Sequence, residues 1–310
     1  MQSVFICYTP LHTLISERIV KDYKIDKCHL IFLSPSNNRK NRYYFDRVSS
    51  LFDYSKFVSI SNKLHYDWRK IIFTCKNFKH EARSEEVTIY CGNIKRAYSR
   101  LVCHYLDYKK IITFDDGLQN IGGDYFLTEG ENPLSKLFFQ IQNKSLTYKN
   151  VKRQISKHIS IFKYKNAFEN VELLELFPQD DKIHDVDTEI KIFLSSAFTE
   201  TGDMKLAEEI DIYEKIISKF NITHVLPHPR EKFTKITSKD VILINTELIA
   251  EEYIAKLKEK HSVKVYGVYS TALLTLSTIA GIKCFNIANT SFKMNLDSIF
   301  SELNIEKEHI

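Results

Sequence analysis

Val225-Leu-Pro-His-Pro-Arg-Glu231 is the stretch on which the reading of the whole chain turns. Just before it, Ile222-Thr-His-Val225 is a short β-branched run of the kind that forms a buried strand. Pro227 and Pro229 then stop the strand and restrict the backbone on both sides of His228. A histidine held stiffly at the carboxyl end of a strand stands where open α/β sheets bind their ligands. The alternative is a Pro-rich turn whose histidine only caps its own loop. The motif alone does not separate the two.

Around this stretch, strands and helices alternate. The carboxyl-terminal half predicts strands at 189–194, 222–225, 241–244, 263–266 and 284–287, with helical spacing at 207–220, 250–259 and 272–279. The amino-terminal half predicts strands at 3–8, 28–33, 57–60, 87–91 and 110–114. Helices are expected there at 11–22, from about 41 through 51, at 68–78 and at 94–106. Alternation at this interval means parallel sheets with helices on both faces. The expected fold is therefore α/β, with two Rossmann-like domains facing a cleft. At 310 residues the chain suits two domains of about 150 residues each, and the boundary is set at 155/156, giving domains 1–155 and 156–310. From 118 to 185 the pattern loosens into a helix at 134–142 and a basic, aromatic-rich passage, read as the crossover between domains.

Composition narrows the class. Hydrophobic residues make up 44% and charged residues 27%, as in an ordinary globule, and eight glycines leave no Gly-rich linker. Cys7, Cys28, Cys75, Cys91, Cys103 and Cys284 are scattered with no CxxC or Cys/His ligand spacing, so no structural metal is expected. Buried, reduced thiols in a cytoplasmic protein fit this pattern. The chain enters directly into a strand with no basic leader, and no run approaches the ~18 apolar residues of a membrane span. The net charge of +5 is modest. Lys144, Lys149, Lys152, Arg153, Lys157, His158, Lys163 and Lys165 precede the next acid, Glu169. Such a run is either a solvated face or a surface for anionic lipid or an anionic acceptor. No nucleic-acid-binding pattern accompanies it, so nucleic acid is not an expected partner.

Four strand-end loops carry the polar chemistry. Asp115-Asp116-Gly117 follows an apolar strand; adjacent carboxylates repel and can raise one pKa, although Asp-Asp-Gly is also an ordinary turn. Ser195-Ser196-Ala-Phe-Thr-Glu200 precedes a helix, so its hydroxyls and N–H groups could meet an anion and Glu200 could act as a base, or the loop could simply cap the helix. His228-Pro229-Arg230 is the third. In the fourth, Tyr269-Ser270-Thr271, a hydroxyl at a helix start can seat a phosphate or merely cap. Three of these loops supply His, Arg, Ser and Thr from one half of the chain, a set suited to a nucleotide phosphate. The absence of GxGxxG and GxxxxGK[ST] argues against dinucleotide and P-loop binding.

An acidic-acidic-Gly motif, a His-Pro motif and a Ser/Thr pair, in that order, resemble the bacterial sialyltransferases of glycosyltransferase family 52. Here they read Asp115-Asp116-Gly117, His228-Pro229 and Ser270-Thr271. The opening Val4-Phe-Ile-Cys-Tyr-Thr9-Pro10, with Thr9 in the first loop, also looks like the family, and the likeness spans nearly the whole chain. The resemblance implies a GT-B-like enzyme that moves sialic acid from CMP-sialic acid to a galactose-terminated glycan of lipooligosaccharide or capsule, with inversion, α2,3 linkage, and neither metal nor cofactor. It implies that His228 contacts the CMP phosphate and assists its departure, that Ser270 holds the same phosphate, and that Glu251, or its neighbour Glu252, binds the ribose. For the base the resemblance implies Glu200, with Asp203 and Asp116 as competing assignments. Some relatives carry a membrane anchor that this chain lacks, which implies peripheral attachment at the inner face of the membrane or none, and the family suggests a homodimer. Two rival readings are a transferase of another nucleotide sugar, such as a UDP-sugar, and a non-catalytic nucleotide-sugar-binding protein of the same fold.

Overall fold

The computed structural model describes residues 2–35, 38–61, 64–82, 86–117, 147–164, 168–178, 188–288 and 297–310. The chain divides into two compact units. One comprises Met1–Ile161 with Lys165–Leu176, the other Phe162–Tyr164 with Phe177–Ile310.

In the first unit, β1 (Gln2–Cys7), β2 (Cys28–Ser34) and β4 (Val87–Cys91) are buried at every position. Such strands need helices on both faces, and their near-continuous apolar runs (Val4-Phe-Ile-Cys7, Leu30-Ile-Phe-Leu33) are the sequence form of that requirement. The other strands are β3 (Tyr54–Ser59), β5 (Tyr108–Phe114), β6 (Ile155–Ser160) and β7 (Val171–Leu173). All pair in parallel, in the order β3-β2-β1-β4-β5-β6-β7. Helices α1 (Pro10–Asp22), α2 (Arg39–Ser49), α3 (Leu64–Ala82), α4 (Ala97–Leu106) and α5 (Tyr148–Lys152) connect them. Ile71, Cys75 and Phe78 of α3 and Leu101, Val102 and Leu106 of α4 pack on Val4, Ile6, Ile31 and Ile89 of the sheet.

The second unit repeats the plan with β8 (Glu189–Leu194), β9 (His224–Leu226), β10 (Ile242–Leu243), β11 (Ser262–Gly267), β12 (Ile282–Ala288) and β13 (Glu306–His309). These too are all parallel, in the order β10-β9-β8-β11-β12-β13. Its helices are α6 (Phe198–Thr201), α7 (Leu206–Phe220), α8 (Ala250–Lys258), α9 (Thr271–Ser277) and α10 (Asp297–Glu302). Numbered within its own unit, the second sheet runs 3-2-1-4-5-6 and the first runs the same way with a seventh strand added at the end, the doubly wound order. The strand order reverses beside the first strand, and a crevice opens there at the carboxyl ends.

The expected boundary at 155/156 is corrected: β6 pairs onto β5 and β7 onto β6, both within the first sheet, so the first unit extends to Leu176. The basic passage is not one solvated face either. Its described part folds into α5 and β6, with Lys157 ion-paired to Glu172 and His158 fully buried. The helix expected at 134–142 lies outside the described residues. All six cysteines are buried and unpaired. Among the described residues no helix is long and apolar enough to cross a membrane.

At the amino rims of the sheets, five exposed residues take left-handed backbone to turn a helix into the next strand: Lys24, Asp107, Asn221, Gly281 and Asn304, with φ between 49° and 82°.

Candidate active site

In the second unit, Leu194 of β8 is in register with both Leu226 of β9 and Gly267 of β11. Three parallel strands therefore end level and side by side, and the loops that leave them begin at Ser195, Pro227 and Val268. Neighbouring strands stand about 4.8 Å apart, so the two outer loops start roughly 10 Å from each other with the Ser195 loop between them. This is the reversal point of the sheet. The expected residues of three loops (Ser195 and Ser196; His228, Pro229 and Arg230; Tyr269, Ser270 and Thr271) thus share one edge.

The His228 loop is a built turn. Glu231 N–H donates to the His228 carbonyl at 2.9 Å, while the Glu231 carboxylate accepts the His228 N–H at 3.0 Å. Ser195 Oγ donates to the same carboxylate and accepts the His228 N–H at 3.2 Å, tying β8 to the loop. Burial pushes the Glu231 carboxyl up, against the lowering effect of these donors. The Arg230 N–H donates to His228 Nδ1 at 3.1 Å, which puts the proton of the neutral ring on Nε2. Pro229 and Arg230 are exposed.

Tyr269 has φ +48°, a strained backbone for a bulky residue, and its N–H donates to Asn286 Oδ1 at 2.9 Å. Ser270 is the N-cap of α9, and its side chain makes no capping hydrogen bond. Thr271 opens that helix, which has only seven residues. Glu251 and Glu252 lie in the first turn of α8, both buried, with Glu252 2.9 Å from Lys256.

Glu200, the expected base, is engaged within its own loop. Its carboxylate accepts from Lys235 Nζ at 2.7 Å and from the Lys232 N–H at 2.8 Å. Burial pushes this carboxyl up, but Lys235 and the backbone donor outweigh it and hold the group down at about 2. Lys235 is 2% exposed and spends its three protons on Glu200, on Glu209 at 2.9 Å and on the Ser196 carbonyl at 3.1 Å. Glu209 in turn accepts from Thr199 N–H at 2.9 Å and from Tyr213 Oη at 2.7 Å. The network anchors the loop after β8. Asp203 is exposed and accepts from Thr201 Oγ1.

In the first unit the reversal point lies between β1 and β4, and the expected acids sit one strand away, after β5. Asp115 is fully buried and accepts from His158 Nε2 at 2.9 Å, Ser160 Oγ at 2.8 Å and Ile161 N–H at 2.7 Å. His158 Nδ1 lies 2.8 Å from Thr113 Oγ1. Asp115 therefore joins β5 to β6. Asp116 does reach solvent, with 17% of its side chain exposed. One of its oxygens is 2.7 Å from His12 Nε2, and the other accepts from Asn93 Nδ2. Burial pushes its carboxyl up, yet His12, Asn93 and Arg96 together hold it below the usual carboxylate value. Gly117 takes left-handed backbone at φ +58°. Thr9 is the N-cap of α1 and accepts the His12 N–H at 3.3 Å.

Sequence reasoning missed His12, Asn93, Glu231 and Lys235. A signal existed for His12: Thr9-Pro10-Leu11-His12 has the form of a helix start with an acceptor at its third position. Lys235 sits in a loop of no periodicity and left no such trace.

Among known proteins, a CMP-N-acetylneuraminate:beta-galactoside alpha-2,3-sialyltransferase of Pasteurella multocida is 26% identical, over 98% of this chain and 97% of that protein. An N-acetyllactosaminide alpha-2,3-sialyltransferase of Haemophilus influenzae is 22% identical over 88% of both chains. Among solved structures, UDP-GlcNAc 2-epimerases resemble the fold alone. That of Methanocaldococcus jannaschii has a TM-score of 0.57 at 11% identity, covering 100% of this chain and 89% of its own. That of Neisseria meningitidis, bound to UDP-GlcNAc, has a TM-score of 0.56 at 12% identity, covering 91% and 82%. Two doubly wound sheets of this kind are those of a GT-B-type α/β protein. Residues 26–290 match the family described as Glycosyltransferase family 52, and the chain belongs to that family.

Proposed function

We propose that this protein transfers sialic acid from CMP-sialic acid to a terminal β-galactoside of a bacterial surface glycan, forming an α2,3 linkage with inversion and without a metal ion. The observation that carries the reading is the level ending of β9, β8 and β11, which brings the His228, Ser195 and Ser270 loops to the reversal point of the second sheet in a family 52 chain. The names of the Pasteurella and Haemophilus relatives support the donor and the linkage.

In this reading the second unit binds the nucleotide. The Nε2–H of His228 donates to the phosphate oxygen that leaves with CMP, acting on developing negative charge as oxyanion donors do. The hydroxyls of Ser270 and Thr271 hold the same phosphate, Arg230 adds positive charge, and Glu251 meets the ribose. The acceptor oxygen forms its bond to the anomeric carbon as the carbon–phosphate oxygen bond breaks. The hydroxyl proton passes to a carboxylate. Glu200 is neutralised by Lys235, which leaves Asp203, exposed after the same strand, and Asp116 as the candidates for that role.

A purified-enzyme screen tests this. CMP-sialic acid and UDP-sugars are each offered with lactose, with and without a chelator, and the product linkage is determined. The expected outcome is α2,3-sialyllactose from CMP-sialic acid alone, undiminished by chelation. Transfer from a UDP-sugar instead, or nucleotide binding with no transfer, would replace this reading.

A further inference from the structure

Gly267 closes β11 in register with Asn286 of β12. Two residues later the chain turns sharply. The left-handed backbone of Tyr269, φ +48°, is one that a bulky residue adopts only when its surroundings hold it there. The turn folds Ser270 back over the strand end: a Cβ on Gly267 would lie 3.1 Å from Ser270 Cβ and 3.2 Å from Leu273 Cδ1. Glycine at 267 gives the turn its room, and Asn286 gives it an acceptor. The Tyr269 N–H donates to Asn286 Oδ1 at 2.9 Å, and the Tyr269 ring lies 6.3 Å from that of Phe300 on α10.

Asn286 is only 1% exposed, and the other half of its amide is unmet. Among the described residues its Nδ2 has no hydrogen-bond partner. The two ends of the amide cannot be exchanged, because only the oxygen accepts from an N–H. A buried donor without a partner weighs against folding. An apolar side chain of the same branching would occupy this place with no donor left over. Packing therefore does not call for an amide here, whereas the N–H of the left-handed turn does. What the turn delivers is the next two residues. Ser270 makes no capping hydrogen bond, Thr271 beside it is exposed, and the turn sets where both hydroxyls stand.

We propose that Asn286 is a positioning residue for the donor phosphate: its Oδ1 holds the turn at Tyr269 ready-made, so that the Ser270 and Thr271 hydroxyls stand in place before the nucleotide arrives, and the unmet Nδ2 is the stability given up for it. A seat built in advance loses less freedom when it is filled, and so binds its ligand more tightly. The inference rests on reading the Ser270 loop as the seat of the CMP phosphate. Every residue it uses lies in the second unit.

Two variants and one pair of ligands test it. Asn286→Leu keeps the branching of the side chain without either polar atom, and Asn286→Ala removes both without adding bulk. Calorimetry compares CMP with cytidine, which differ only in the phosphate. Wild type is expected to bind CMP about 10- to 100-fold tighter than cytidine, through hydrogen bonds to a charged group. In both variants CMP is expected to weaken about tenfold with cytidine unchanged, and kcat/KM for CMP-sialic acid to fall about 10- to 100-fold through a raised KM. Melting points are expected within a few degrees of wild type, because the lost hydrogen bond is offset by removal of the unmet donor. Equal losses for CMP and cytidine, or collapse of both variants in the melt, would assign the amide to the fold alone and overturn the proposal. Wild type that binds CMP no tighter than cytidine removes the phosphate seat and this inference with it. A full phosphate preference in wild type, kept intact in both variants, removes only this inference. Hydrogen exchange on the nucleotide-free wild-type protein needs no variant. The Tyr269 amide is expected to be protected, and free exchange there would overturn the claim that the turn is made in advance.

Discussion

Lys235 Nζ lies 2.7 Å from Glu200 Oε2, and neither side chain is more than 5% exposed. A carboxylate held in this way has no reason to accept a proton during catalysis. General-base catalysis is worth about 10²–10⁴-fold, so a true base is conspicuous when removed. Glu200→Gln is expected to keep kcat within roughly tenfold of wild type, well short of that range. Lys235→Met is expected to unfold readily, because it strands Glu200 and Glu209 without their cation. Losses of about 3–5 kcal/mol follow from breaking a buried ion pair on one side only, and denaturant titration reads them.

The same pair sets a pH dependence. The Glu200 carboxyl sits at about 2, below its ordinary 4.5. A depressed folded-state value contributes stability above the unfolded value and loses it as pH falls toward the folded one. Thermal midpoints of the wild-type protein should therefore fall between pH 4.5 and about 2. Glu200→Gln should start lower and show a shallower decline over that window.

His228 should matter to chemistry and not to folding. His228→Ala is expected to reduce turnover by about 10²–10⁴-fold while its melting curve stays near wild type. Glu231→Ala removes the acceptor that closes the turn onto the His228 N–H and Ser195 Oγ. Its expected signature is a raised KM for CMP-sialic acid together with a lower kcat, since the ring is no longer held in place. Full activity in Glu231→Ala would mean that the turn holds without its carboxylate.

Asp115 and Asp116 are adjacent in sequence and should fail in different ways. Asp115 is fully buried with three donors, so Asp115→Ala is expected to cost about 3–5 kcal/mol and to be lost at expression or in the melt. Asp116→Asn is expected to fold, and its turnover tells whether Asp116 or Asp203 takes the acceptor proton. Paired thermal melts and kinetics on the two variants check this.

The alternation of apolar strands and amphipathic helices was enough to read two doubly wound units, because strands buried on both faces must be apolar almost throughout. The strands that escaped notice are those whose pairing does not depend on apolar runs. β6 (Ile-Ser-Lys-His-Ile-Ser) buries a histidine and a serine because Asp115 satisfies them, and nothing local announces that partner. β13 (Glu-Lys-Glu-His) is an edge strand, where charge is normal and hydrophobic patterning is weak. In the site, the motif residues could be placed on strand-end loops from sequence, since a strand followed by Pro, Gly or Ser marks its own end. Which acid is paired with a buried cation could not. Glu200 and Asp116 differ only in whom they meet across long sequence distances, Lys235 in one case and His12 with Asn93 in the other. Spacing carries no information about such partners.

The left-handed turns at the amino rims have a practical side. Every candidate side chain hangs from the opposite ends of the strands, so the rim with Lys24 and Lys27 in the first unit carries none of them. Tethering the enzyme to a solid support through an amine there should leave both its substrates unobstructed. Preparative glycan synthesis on a reusable column would then require no change to the residues that do the work.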